Sequence, residues 1–410
     1  MSHALPIFLL QLIVIIVASR LFGLVMKKIG QPVVMGEIIA GIALGPSLFG
    51  DFFPEISTML FPVSSLGNLQ MLSQIGLILF MFVIGMELDL NIIKNKAKSA
   101  LVISYASIIL PFGLGVLLAV LLEDNFLPAG VRFYEFALFM GIALSITAFP
   151  VLARVIRERG ISNTRRGVIA ITSAALNDVT GWCVLAFVIA LVRAEGIHTP
   201  LYTLGGTILY LAAMLFIIRP FLKNLANRKF KLNIIRQSTM AVIFIILLLS
   251  SLCCELLGIH ALFGAFMTGL IMPLEWNFRK LIIEKVEDVA LVLLLPLFFV
   301  LTGLRTEIGL VNTTTLWLIC LLITVVAIAG KLGGSYVAAR LTGENTYDSL
   351  SIGILMNTRG LMELIILNIG YDLGILTPEI FTMMVIMALV TTLMTNPLLN
   401  IVDRVYMKAS

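Results

Sequence analysis

Apolar runs of about twenty residues, parted by short polar connections, recur from one end of the chain to the other. Thirteen have cores near 5–26, 33–50, 66–88, 99–122, 133–157, 167–192, 200–218, 235–254, 258–273, 286–304, 314–339, 346–369 and 378–401. Each approaches the roughly 20 residues with which an α-helix crosses a hydrocarbon layer. The second and ninth are short and glycine-rich, and are expected to tilt, break or re-enter. The pattern predicts an all-α polytopic membrane protein of about 13 transmembrane helices.

The pattern also reads as a duplication. The third span ends FVIGMELDL (82–90) and the tenth ends FVLTGLRTEI (299–308). Seven spans separate them, an odd offset, so equivalent helices run in opposite directions. Spans 1–6 and 8–13 then form two inverted six-helix repeats, with the helix at about 200–218 as linker. In secondary transporters such repeats place the site where discontinuous helices of the two halves meet.

Composition agrees. Apolar residues make up 60% of the 410 and charged residues 12%, against about 25% charged in ordinary soluble domains. The four cysteines lie in apolar stretches without metal-ligand spacing and read as packing residues. No cleavable signal peptide is expected, because the apolar run after Leu5 continues to Met26.

Basic residues give an expected orientation, since cytoplasmic loops accumulate Lys and Arg. With the N-terminus outside, 22 of the 28 basic residues fall in inner loops, including the run from Arg154 to Arg166. Acids mark the outer connections. The expected topology is N-terminus out and C-terminus in, in a bacterial inner membrane. The net charge of +5 is explained by this asymmetry and is no nucleic-acid signature.

Charge inside a span costs roughly 2.5–3.5 kcal/mol at a helix centre and defaults to a functional hypothesis. Asn177-Asp178 lies in the middle of span 6, and Lys331 in the middle of span 11. Arg359 and Glu363 share one helix face in span 12,. The last two read either as a self-neutralising structural pair or as part of the site. Asp178 reads either as a partner locking to Lys331 or as the site itself. A carboxylate is a hard-oxygen ligand for alkali cations and also takes up protons, so one group holds either, never both. Candidate oxygen donors beside Asp178 are Asn177, Ser173 and Thr147. Two spans carry breaks in corresponding positions: Phe149-Pro150 in the fifth and Asn357-Thr358-Arg359-Gly360 in the twelfth. Such matched breaks point to a transport site.

Eight segments in order carry a resemblance. They are QPVVMGEIIAGIALGPSLFG (31–50), GLILFMFVIGMELDL (76–90), SITAFPVLARV (145–155), AALNDVTGW (174–182), LGIHALFGAFMTGLIMP (257–273), LPLFFVLTGLRTE (295–307), GKLGG (330–334) and NTRGLMELIILNIG (357–370). From about residue 10 to 402 the chain resembles the monovalent cation:proton antiporter-2 family, which includes Kef-type potassium systems, plant cation/proton exchangers and bacterial Na⁺/H⁺ antiporters. The resemblance implies a Na⁺/H⁺ antiporter-type fold with crossed broken helices and a homodimer. Scaffold helices would lie at about 5–88 and 235–304, and core helices at about 99–192 and 314–401. It implies that Asp178 binds the transported Na⁺ or K⁺, or a proton. Lys331 would interact with Asp178 or brace the crossing. Asn177 stands where electrogenic members carry a second aspartate, which implies electroneutral exchange.

The expected function is therefore cation/proton exchange by alternating access, with no cofactor beyond the transported ions. The alternatives are a cation channel and an organic-solute symporter. No TVGYG-type filter is present, and the intramembrane polar groups are few and small. An enzyme is not expected, since His3, His198 and His260 show no metal spacing.

Overall fold

The computed structural model describes residues 4–87, 97–192, 198–229, 236–274 and 278–407, and every regular element among them is helical. The helices are α1 Ala4–Lys28, α2 Val33–Leu44, α3 Phe49–Phe52, α4 Pro54–Leu60, α5 Val63–Glu87, α6 Ala97–Phe126, α7 Phe133–Ser145, α8 Phe149–Glu158, α9 Arg165–Val192, α10 His198–Ala213 and α11 Arg219–Lys229. They continue with α12 Gln237–Leu256, α13 Ala261–Leu270, α14 Phe278–Asp288, α15 Leu295–Leu304, α16 Thr314–Ile328, α17 Gly334–Leu341, α18 Thr346–Met356, α19 Leu361–Asp372, α20 Pro378–Leu393 and α21 Thr395–Met407. Single π-turns join α10 to α11, α14 to α15 and α16 to α17.

Eleven of these helices, counting joined ones as one, are long and apolar enough to cross a membrane. The other two expected spans are the exceptional ones. The ninth is the short apolar helix α13, and the twelfth is divided into α18 and α19. Large apolar side chains such as Ile13, Leu209, Phe216 and Leu248 stay exposed. That is the surface a hydrocarbon solvent accepts, provided backbone groups bond internally. Residues 88–90, at the end of the third-span motif, lie outside the described residues.

The chain forms two compact units. The smaller gathers residues 63–89 and 185–298. There Arg279 caps two helix ends, donating to the carbonyls of Met86 (2.9 Å), Leu270 (2.9 Å) and Met272 (2.8 Å). The larger unit gathers residues 2–62, 90–184 and 299–410 and holds both broken helices.

The fifth span breaks between α7 and α8. Ile146 and Ala148 are extended, with ψ of 139° and 91°. The expected break at Pro150 lies four residues earlier instead. Pro150 occupies the first turn of α8, where a missing N–H costs no intrahelical bond. Its effect falls upstream, because it offers no donor to the carbonyl of Ile146. The twelfth span breaks where expected, at residues 357–360. Gly360 takes φ 153°, and a Cβ there would stand 3.0 Å from Val151 Cγ2. Only glycine combines that backbone with so close an approach.

At one end of this unit part of the basic run is paired with acids. Asp403 of α21 accepts from Arg159 (2.8 Å), Arg166 (2.9 Å) and Tyr347 (2.7 Å). Glu344 pairs with Arg165 at 2.7 Å. Arg165 and Arg166 sit in the first turn of α9, where the helix dipole disfavours cations, so these carboxylates offset an unfavourable placement.

Candidate functional site

The two broken helices cross and are stitched together at backbone carbonyls of the second break. The N–H of Ala148 donates to the carbonyl of Thr358 at 3.1 Å. The hydroxyl of Thr147 donates to the carbonyl of Met356 at 3.0 Å. Each bond satisfies a carbonyl that its own helix leaves unpaired at or just past its end. Thr392 of α20 braces the same loop, accepting from the N–H of Arg359 (3.1 Å) and donating to its carbonyl (2.9 Å). Thr358 also meets Thr395 at 3.4 Å.

The C-terminal end of α7 leaves buried carbonyls without helical partners, and the two intramembrane cations satisfy them. Arg359 donates to Ala143 (3.0 Å) and Leu144 (2.9 Å). Lys331 donates to Ser145 and, at 2.9 Å, to Ser107. The carbonyl of Ser107 is free because its helical partner would be the N–H of residue 111, which is Pro111,. Lys331 reaches it from the π-turn at Ala329–Gly333, which packs against Pro111. Arg359 also pairs with Glu363 at 3.0 Å, and both are buried. The pair neutralises itself, and its arginine caps α7 at the crossing.

Asn177 and Asp178 come from the middle of α9. Asn177 uses both ends of its amide. Its Oδ1 accepts from the Thr147 N–H at 3.0 Å, and its Nδ2 donates to Ser107 Oγ at 2.9 Å. It thus holds the extended residues of the first break in place. Ser173, one turn earlier, donates to the carbonyl of Ala100 at 3.2 Å, and its oxygen keeps a lone pair.

Asp178 is fully buried and neither carboxylate oxygen has a hydrogen-bond partner. The Phe149 amide at the start of α8 faces it without forming an aligned bond. This brings the positive end of a helix towards the carboxylate. Donors at the crossing bond elsewhere: Lys331, the Arg359 Nη atoms and the Thr147 hydroxyl bond carbonyls, and the Asn177 amide bonds Ser107. Lys331 makes no ion pair with Asp178 within 4.0 Å, though it lies within electrostatic reach. An isolated buried carboxylate is strongly unfavourable unless it binds a proton or a cation. Asn357 offers one further unsatisfied oxygen, since its Oδ1 is buried without a partner.

Sequence reasoning thus named the residues at the crossing but missed Ser107, Ser145 and Thr392, which hold them. Pro111, four residues after Ser107 inside an apolar span, was the available signal.

A family model described as sodium/hydrogen exchanger, transmembrane, matches residues 13–401. The chain is 43% identical over 399 residues to the Na(+)/H(+) antiporter NhaS4 of Synechocystis sp., covering 97% of each. It is 40% identical to cation/H(+) antiporter 17 of Arabidopsis thaliana, covering 97% of this chain and 48% of that one. It is 33% identical to K(+)/H(+) antiporter 1 of Saccharomyces cerevisiae, covering 98% and 47%. The chain therefore spans about half the length of these plant and yeast relatives. Among solved structures, the sodium proton antiporter MjNhaP1 of Methanocaldococcus jannaschii superposes with a TM-score of 0.69 over 96% of both chains. At 15% identity that likeness concerns the fold. By the match over nearly its whole length, this chain belongs to the transmembrane sodium/hydrogen exchanger family.

Proposed function

We propose that this protein exchanges a monovalent cation, Na⁺ or K⁺, for a proton at Asp178, one for one, by alternating access. The observation that carries the reading is a fully buried carboxylate without hydrogen-bond partners beside the crossing of two broken helices. Such a group takes a proton or a dehydrated cation, and the two compete for the same oxygens. Ligands to the cation come from Asp178 and from the oxygens of Asn177, Ser173 and Thr147. Lys331, Arg359 and Glu363 keep the crossing rigid and hold a fixed charge while Asp178 changes partner. With Lys331 unchanged through the cycle, the loaded site has equal charge in both directions.

The core helices at about 99–192 and 314–401 carry the site past a scaffold at about 5–88 and 235–304, with the helix at about 200–218 as linker. The scaffold joins two copies into a homodimer through apolar faces. The protein spans a bacterial plasma membrane with its N-terminus outside. The family match and the antiporter names of the relatives support this reading.

Purified protein in sealed vesicles tests it, with internal pH followed while Na⁺ or K⁺ is added outside. Cation-driven proton movement is expected. Cation entry without a stoichiometric proton flux would instead mark a channel, and a requirement for an organic solute would mark a symporter.

A further inference from the structure

Helices α2 and α15 meet backbone to backbone. A Cβ on Gly41 would stand 2.6 Å from the carbonyl oxygen of Val300, and one on Gly45 would stand 3.1 Å from the Cα of Leu304. Past the ends of both helices, Ser47 Oγ donates to the carbonyl of Thr306 at 2.8 Å and accepts from the N–H of Ile308 at 3.0 Å. Helix α19 belongs to a different group. A Cβ on Gly370 would stand 2.9 Å from the Phe139 ring of α7, and the Tyr371 ring lies 5.0 Å from that of Phe381 in α20. Contacts this tight leave little room to slide.

Between the two groups runs a seam of side chains. Arg305, the residue after α15, donates through Nη1 to Asn368 Oδ1 at 2.9 Å and pairs with Asp372 at 2.9 Å. Its guanidinium lies 5.7 Å from the centre of the Tyr371 ring. Asn368 answers with Nδ2, which donates to Thr302 Oγ1 at 2.9 Å. Asn368, Tyr371 and Asp372 lie near the C-terminal end of α19, where the helix dipole also favours a cation. The side chains of Arg305 and Asp372 are 26% and 42% exposed, so water can replace their bonds without disturbing either group of helices. At the other end of α2 the join is made by neutral bonds, which are weaker than charge-assisted ones. Gln31 and Asn396 each donate one amide bond to a carbonyl, of Leu393 (3.1 Å) and Gly30 (2.7 Å). A cavity of about 330 Å³ opens there, lined in part by Gln31, Glu158, Arg159 and Asn396.

We propose that Arg305 is a positioning residue of the exchange cycle. Bound to Asn368 and Asp372, it holds the site-bearing helices against α2 and α15 at the outer end, and a cation reaches Asp178 from that side once these bonds break. This rests on the exchange reading above. Arg305 touches neither the cation nor Asp178; it acts through α19, which starts at the second break. Opening releases no proton and needs no other ligand, since the guanidinium and the carboxylate each take up water.

Arg305→Gln and Asp372→Asn each remove the ion pair, and right-side-out and everted membrane vesicles report the two faces separately. The apparent KM for Na⁺ offered at the outer face should fall by at least about threefold, and that at the inner face should rise, because apparent affinity scales with the population of the competent state. Arg305→Lys keeps the charge and should lie between wild type and Arg305→Gln. KM values unchanged at both faces, with only the amount of protein altered, would mark a merely structural pair and overturn the proposal. A second arm places Arg305→Cys and Asp372→Cys in an exchanging background whose four native cysteines are replaced by serine. Bridging the two thiols with a bifunctional methanethiosulfonate should stop exchange, and dithiothreitol should restore it. Each single cysteine, treated alike, should keep exchanging. Exchange that continues through the bridge overturns the proposal. Should Arg305→Gln fail to fold, Asp372→Asn and the bridged pair decide, whereas absent exchange in wild type would sink the underlying functional reading instead.

Discussion

Replacing Asn177 separates its bracing role from any role in binding. Asn177→Leu keeps the side-chain volume roughly constant but removes both hydrogen bonds. The Thr147 N–H, fully buried, is then left unpaired, which costs about 1–3 kcal/mol. Ser107 loses less, about 0.5–1.5 kcal/mol, because its hydroxyl already donates to the carbonyl of Ser104 at 2.8 Å. The expected loss is about 1.5–4.5 kcal/mol in all, at one site in the crossing. Asn177→Asp behaves differently. When protonated, the new acid accepts from Thr147 and donates to Ser107, as the amide does. Once ionised it loses the second bond and sets a negative charge beside Asp178. Its stability should therefore match wild type at low pH and fall as pH rises through its ionisation. Thermal unfolding in detergent at several pH values measures both effects. Leu should melt below wild type at every pH, and Asp only at the higher ones. If Leu and wild type melt together, Asn177 does not hold the break, and its bonds to Thr147 and Ser107 carry no weight.

Two further outcomes follow from the same geometry. Arg359→Leu strands the Glu363 carboxylate and two carbonyls of α7, a loss of about 3–5 kcal/mol for a broken buried pair; little folded protein should reach the membrane, and Arg359→Leu with Glu363→Leu should recover much of it on a size-exclusion profile. Exchange should also be insensitive to voltage, so vesicles clamped with potassium and valinomycin should show equal Na⁺-driven flux at either polarity, and a voltage-dependent rate would make Lys331 a second proton carrier.

Much of the fold was legible because a bilayer leaves few options. Long apolar runs, a charge alternation and two matched interruptions were enough to expect a polytopic helical protein with two broken helices, and the family resemblance implied that they cross. Asp178, Lys331, Arg359 and Glu363 stood out because charge in an apolar run is costly and conspicuous. Their partners did not, because most are backbone carbonyls. No local pattern reveals that Ser107 and Ser145 turn theirs towards Lys331, although Pro111 frees one of them. Thr392 bridges Arg359 from 33 residues away, and a threonine in an apolar helix carries no signal of that. Pro150 misled by position, since a proline in a first turn starts a helix instead of kinking one.

The central claim is that one carboxylate carries both ions. Asp178→Asn preserves the shape of the side chain and removes the charge and the exchangeable proton, and a buried amide is cheaper than a buried carboxylate, so the protein should fold and insert. Reconstituted beside wild type in sealed vesicles, with a pH-sensitive dye inside and Na⁺ or K⁺ added outside, the variant should show no cation-driven proton movement while wild type does. Transport by Asp178→Asn at the wild-type rate would contradict the account and move the site to Glu363 or Glu87.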